Sequence, residues 1–324
     1  MNLFSSFRKA KAWKLKAILM MLVIPTPNGL FAQQVFPMQA QQVAANVYAI
    51  VTPVRELPNP QNRGWNSNSA FVVTPSGVLL FDTGSSAEIG QSLRSTIATV
   101  TDKPVRWIIN SHAHGDHWLG NIAFSATVEK IFATETAINR IHADGQSWVE
   151  RFNRMTKGIS GDTPITPPTN SINSRTEMTL GGMTMVLFPS DNSHSPGDLL
   201  LWLPDSRVLI SGDVIYSDRM PSTNDSNLQH WMTLLTELER LQPAVVIPGH
   251  GKVTDLGGIT RLHALFTTLW QAVAKGLEAG KTDYEMLPDV SKALAGFRQD
   301  YPGLDEKLRR DLPHVYLQVE TASF

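Results

Sequence analysis

The chain predicts a mixed α/β fold, a four-layer α/β/β/α sandwich, and two observations predict it. Several short strands followed by helices occur once in residues 47–157 and again after residue 176, the pattern of two sheets packed face to face with helices outside. The segment between the halves, 158–175, is rich in Thr, Pro, Ser and Asn and reads as a loop, too short to separate two domains. A length of 324 residues, 42% hydrophobic and 18% charged, is ample for a large core and excludes a disordered chain.

The elements follow in order. VYAIVTPV (47–54), SAFVVT (69–74) and GVLLFD (77–82) are β-branched or aromatic runs bounded by Pro, Gly and Asn, hence strands. Ile89, Leu93 and Ile97 recur every four residues and predict a helix over 86–100. A strand at 104–110 (PVRWIIN), a short strand near 129–133 and a helix to about 157 complete the first half. The second half predicts strands at 176–180, 183–188, 198–203 and 207–211, a helix at 226–241, a strand at 244–248 and a helix from about 258. Residues 33–280 form the expected main domain, and 281–324 a mostly helical extension of it.

The first 32 residues read as a signal peptide. Arg8, Lys9, Lys11, Lys14 and Lys16 make a basic start, and AILMMLVI (17–24) is an apolar run ended by Pro25. Eight apolar residues fall short of the about 20 that a membrane span needs. The mature chain is therefore expected in the periplasm or secreted, with no stable membrane span. Cleavage after Ala32 removes five positive charges and leaves 23 against 29, a net charge of −6. An acidic protein without a basic tract has no electrostatic footprint for nucleic acid, so the expected partner is a small-molecule substrate. Nothing in the sequence specifies an oligomeric state.

There is no Cys, so a thiolate nucleophile, an iron–sulfur cluster and a Cys-type zinc site are excluded. Any metal must be held by nitrogen and oxygen. His112, His114, Asp116 and His117 form H-x-H-x-D-H directly after a predicted strand. Residues two apart on extended backbone point the same way, so His112 and His114 share a direction. Gly115 permits a sharp turn, after which Asp116 and His117 aim at a second point. Imidazole with carboxylate suits zinc, or alternatively iron or manganese. Three further residues follow predicted strands beside Gly or Pro: His194 in DNSHSPGD, Asp213 in LISGDVIY and His250 in VVIPGHG. His142, His230, His263 and His314 lack a partner pattern and read as structural.

On these motifs the chain resembles the metallo-β-lactamase-fold hydrolase superfamily, over about residues 40 to 275. The resemblance implies the αββα fold and two Zn²⁺ per chain. One would be held by His112, His114 and His194, the other by Asp116, His117 and His250, with Asp213 bridging. It also places Asp82, in FDTG, behind the His loop, where a carboxylate fixes ligand orientation. The implied chemistry is hydrolysis of an ester, thioester or amide-type bond by a metal-bridging hydroxide, with Asp116 as orienting or proton-shuttling residue. HSPGDLLLWLP (194–204) is similar to a class B1 lactamase segment, but those enzymes have Cys where this chain has Asp213 and a Lys where it has Tyr216. The sequence YPGLDEKLRRDLPHVYLQVE (301–320), with DVIYSDRMPS (213–222), is similar to the exported quinoprotein relay system zinc metallohydrolases.

Two other readings fit the same residues. One is a mononuclear iron persulfide dioxygenase-like enzyme, the other a non-catalytic periplasmic binding protein. Substrate contacts are assigned to Trp65, at the tip of a lid-like loop over 55–68, and to Tyr216 and Arg219, which closely follow Asp213.

Overall fold

The computed structural model describes residues 38–53 and 56–323, so the signal-peptide reading lies outside the described residues. The first half comprises strands β1 (Gln41–Ala44), β2 (Val47–Ile50), β3 (Ser69–Thr74) and β4 (Gly77–Phe81), helix α1 (Ala87–Ala98) and strand β5 (Val105–Ile109). Helix α2 (Gly115–Trp118), strand β6 (Lys130–Ala133), helix α3 (Glu135–Met155) and strand β7 (Asn170–Ser171) follow. The second half comprises β8 (Thr176–Leu180), β9 (Met183–Asn192), β10 (Pro196–Leu203), β11 (Val208–Tyr216), α4 (Leu228–Arg240), β12 (Val245–His250) and α5 (Leu256–Glu278). Helices α6 (Asp283–Ala293) and α7 (Leu304–Ala322) close the described chain.

The strands form two sheets, one in the order β1-β2-β3-β4-β5-β6-β7 and one in the order β12-β11-β10-β9-β8. The alternation of side chains along each strand builds the layers. In β10, Leu199, Leu201 and Leu203 enter the core between the sheets, while Leu200 and Trp202 face the outer core with α4 to α7. In β4, Leu79 and Phe81 face the second sheet, whereas Val78 and Leu80 meet α1. Strands buried on both faces read as continuous apolar runs, which is why GVLLF and LLLWL are visible in the sequence.

The fold is the predicted four-layer sandwich, with differences at element ends. The 47–54 prediction shrinks to β2, because Pro53 ends the regular pairing. Strands β1 and β7 are additional: QQVA carries no apolar alternation, and β7 has two residues. Strand β11 runs five residues beyond its expected end, to Tyr216. Gly212, at φ 50°, shifts its register against β12 without ending the strand. Asp213 therefore sits inside a kinked strand rather than after it.

Helices α6 and α7 lie in the same outer core as α4 and α5. Met286, Val290, Leu294, Phe297, Leu304, Leu308, Leu312, Val315 and Val319 are buried there with Trp231, Phe266 and Leu269. Side-chain bonds also tie α7 to the segment after β11. Asp311 accepts from the Thr223 N–H at 2.9 Å, and His314 and Gln318 both donate to the Ser226 carbonyl at 3.0 Å. Among the described residues no helix is long and apolar enough to cross a membrane.

Candidate metal centre

Strand ends, a turn and the kink of β11 at one edge of the two sheets deliver the His and Asp side chains. His112 and His114 follow β5, and Asp116 and His117 lie on α2. His194 occupies the turn between β9 and β10, Asp213 the kink of β11, and His250 the last position of β12. Gly249 is required beside them, since a Cβ there would collide with the Asp213 carboxylate.

Ligand atoms gather in two groups, His112, His114, His194 and Asp213 in one and Asp116, His117 and His250 in the other, with atoms in each group within 4.8 Å of one another. His112 Nε2 and His194 Nε2 lie 2.9 and 3.1 Å from His114 Nδ1. Asp213 reaches both groups, its Oδ2 3.5 Å from His194 Nε2 and its Oδ1 3.2 Å from His117 Nε2. His250 Nε2 is 3.6 Å from Asp116 Oδ2.

Four of the rings are held from behind by a bond at the nitrogen that faces away from the cluster. His117 Nδ1 donates to Asp82 Oδ2 at 2.8 Å. His112 Nδ1 lies 2.8 Å from Ser111 Oγ, which itself donates to Asp82 Oδ2 at 2.8 Å, so His112 is the donor there. His114 Nε2 donates to Asp225 at 3.3 Å, and His250 Nδ1 donates to the Asn66 carbonyl at 2.6 Å. Each bond fixes the tautomer and leaves the opposite nitrogen bare, the arrangement of metal-ligating histidines. Asp82 is held in place by its own backbone: at φ 58° it turns out of β4, and its carboxylate takes the Ser111 N–H at 2.7 Å.

The electrostatics agree with a cation site. Burial, with neighbouring histidines, pushes His112 well below its ordinary value, and burial pulls His194 down to about 3, so both are neutral with a free lone pair. Burial opposes charge on His117 too, yet the carboxylates of Asp213, Asp116 and Asp82 hold it well above the usual range. Burial likewise disfavours ionised Asp213, but His250 and His117 hold its carboxyl well below the usual carboxylate range. The buried His117 Nε2 and Asp213 Oδ1 have no partner of hydrogen-bonding geometry. Imidazole nitrogens and carboxylate oxygens that converge in this way, two of them orphaned, fit divalent metal ions.

Asp82→Asn is expected to keep the fold and to lower metal affinity by about 10- to 100-fold, because the amide no longer accepts equally from His117 and Ser111. Competition with a chromogenic chelator measures it. Unchanged affinity would show that Asp82 does not orient His117.

Five of the seven candidate ligand residues, His114, Asp116, His194, Asp213 and His250, line one cavity of about 380 Å³. The proposed substrate contacts fare differently. Arg219 lines it, with Nη1 3.1 Å from His250 Nδ1. Tyr216 lines it as well, but its hydroxyl donates to Asp213 Oδ2 at 2.5 Å and its ring stacks on His250, so it steadies two site residues. Trp65 does not reach the cavity, which corrects its assignment as a clamp. It is 4% exposed, packs in the core with Ile50 and Phe71, and its indole N–H donates to the Ser67 carbonyl. The loop itself forms wall rather than lid at its inner end. Ser67 donates to the Asp116 carbonyl at 2.6 Å, and Asn68 donates to the Pro248 and Gly251 carbonyls. Leu57 and Pro58 of the outer end line the cavity.

Asp225 and Asn66 were not singled out from the sequence, and only Asn66 lay in a segment that carried any signal, the long 55–68 loop. His263 bonds Glu239 and His314 bonds Ser226, in keeping with structural roles.

A two-sheet sandwich with seven convergent His and Asp ligands at one edge defines a class, the metal-binding αββα proteins. This chain belongs to the metallo-beta-lactamase superfamily, whose family model matches residues 62–250. It is 26% identical over 294 residues to a linear primary-alkylsulfatase of Pseudomonas sp. (strain ATCC 19151), covering 76% of this chain and 55% of that protein. It is 24% identical over 206 residues to a metallo-beta-lactamase type 2 of Bacillus cereus, covering 61% and 72% respectively. The chain thus spans little more than half the length of the alkylsulfatase. Among solved structures, a stereoselective inverting sec-alkylsulfatase from Pseudomonas sp. superposes with a TM-score of 0.63 at 18% identity, over 87% of this chain and 50% of that one. A metallo-beta-lactamase from Pontibacter korlensis superposes with a TM-score of 0.58 at 18% identity, over 71% and 99%. The relatives named as sulfatase and lactamase are hydrolases.

Proposed function

We propose that this chain is an exported hydrolase that holds two zinc ions and cleaves an ester, thioester or amide-type bond of a small molecule. The observation that carries the reading is the convergence of two ligand groups at one cavity, with Asp213 reaching into both. His112, His114 and His194 would hold one ion, Asp116, His117 and His250 the other, and Asp213 both. When bound, such ions supply Lewis acidity and make a water acidic enough to serve as nucleophile near neutral pH.

The chain's own residues do the rest. Asp116 lines the cavity at 13% exposure, where it orients the attacking water and receives its proton before that proton passes to the leaving group. Asp82, Asp225 and the Asn66 carbonyl keep the rings aimed, so no reorganisation is needed as charge develops. The mechanism needs no side-chain nucleophile and forms no covalent intermediate. Export rests on the basic start and apolar run of residues 1–32, and fractionation of expressing cells checks it.

Elemental analysis of the purified chain tests the reading: about two zinc per chain is expected from two ligand groups. One iron with little zinc would replace the reading by the iron dioxygenase. Nitrocefin turnover is expected to be slow, because Tyr216, engaged with Asp213, stands where lactamases offer a Lys to the substrate carboxylate.

A further inference from the structure

Besides its ligand residues, the cavity is lined by five cationic side chains: Arg140, Arg151, Arg219, Lys307 and Arg310. Three are engaged. Arg140 pairs with Asp225 at 2.8 Å, Arg310 pairs with Asp311 at 2.6 Å, and Arg151 lies over the Trp148 ring, 5.0 Å from its centroid. Arg219 has no carboxylate partner among the described residues, and the Lys307 ammonium has neither a hydrogen bond nor an ion pair there, its backbone N–H alone bonding, to the Gly303 carbonyl. Lys307 is nonetheless half-buried. Burial, reinforced by Arg219 and Arg310, brings its ammonium down to about 8, so it remains charged at neutral pH.

Cations without a directly paired carboxylate, crowded in a partly desolvated cavity, repel one another even with Asp311 and Asp213 nearby, and a solvated surface lysine would extend into water instead. Helix α7 keeps them together. Asp311 holds Arg310 and the Thr223 N–H, and Arg310 donates to Ser222 Oγ at 3.0 Å, which fixes α7 against the segment that carries Arg219. A different element supplies the apolar lining, with Trp148, Phe152 and Met155 of α3.

We infer that Lys307 and Arg219 form a subsite for an oxyanion group of the substrate, whose apolar remainder lies against Trp148, Phe152 and Met155. The substrate class is then an organic anion with an apolar body. This deepens the hydrolase reading and rests on it only for the bond that is cleaved. The C-terminal extension is in this view part of the recognition apparatus.

Calorimetric titration of the zinc-loaded full chain with hexanoate, hexane-1-sulfonate and the uncharged hexanamide tests the subsite without turnover. Both anions are expected to bind at least about tenfold more tightly than hexanamide, the scale of one charge-assisted contact. Lys307→Gln is expected to collapse that ratio with metal content unchanged, Lys307→Arg to restore it, and Arg219→Gln to lower it independently. Equal affinity for anion and amide in the unaltered protein would overturn the inference. So would a ratio untouched by Lys307→Gln, because the oxyanion would then sit on the metals. Anion binding through Lys307 without hydrolysis of any ester would uphold the subsite and overturn the hydrolase reading instead.

Discussion

Asp213→Ala is expected to leave a folded chain that retains less than half of its metal and whose turnover falls by at least about a hundredfold. The reason is position. Among the described residues Asp213 is the one carboxylate that faces His112 and His194 on one side and His117 and His250 on the other. Losing it removes a ligand from both groups and the counter-charge that holds four imidazoles together. It also frees the Tyr216 hydroxyl, which then has no acceptor in a buried position. His114→Ala is expected to act in the same direction, since its Nδ1 is the point on which His112 and His194 converge. Elemental analysis and turnover of any accepted ester read both variants. Full metal with full activity in either would mean that the site is elsewhere.

Deletion of residues 281–324 is expected to yield an insoluble chain, or one whose Tm is lower by more than about 10 °C. Helices α6 and α7 turn their apolar faces toward α5 and toward each other. Their removal uncovers Phe266, Leu269, Val273 and Met220 along with the residues they pack against. It also cuts the bonds from Asp311, His314 and Gln318 to the segment 223–228, which leads from β11 into α4. Thermal denaturation of the truncated chain decides it. A soluble, cooperatively melting truncation with unchanged Tm would show that the extension is an accessory rather than part of the core.

Much of this was legible in the sequence because the signals are local. GVLLF and LLLWL show strands buried on both faces, and H-x-H-x-D-H compresses four ligand-type residues into one turn. What the sequence does not show is what stands behind a ring. His114 meets Asp225 across 111 positions, and His250 meets the Asn66 carbonyl across 184, a backbone atom that any residue type supplies. Trp65 misleads for a related reason. An aromatic residue in a long loop looks available to a ligand, yet this loop folds back and adds its indole to the core against Ile50 and Phe71. Lys307 gave no signal because an isolated lysine on a helix usually faces solvent, and only the packing of α7 beside Arg219 gives it another role.

The ligands come from both sheets: His112, His114, Asp116 and His117 from the end of β5, and His194, Asp213 and His250 from the partner sheet. Between the sheets lie apolar side chains, whose contact has no direction, and a few directional bonds near the site, such as those from Asn68 to Pro248 and from Thr134 to Gly197. Metal held by residues of both sheets would act with these bonds as a clasp that registers one sheet on the other. Ions that bind only the closed register add their affinity to the fold, about 4 kcal/mol when free metal exceeds its dissociation constant a thousandfold. On the proposed reading, the chain in metal-poor surroundings is expected to be a looser object and easier prey for proteases, so that metal supply would govern its lifetime as well as its chemistry.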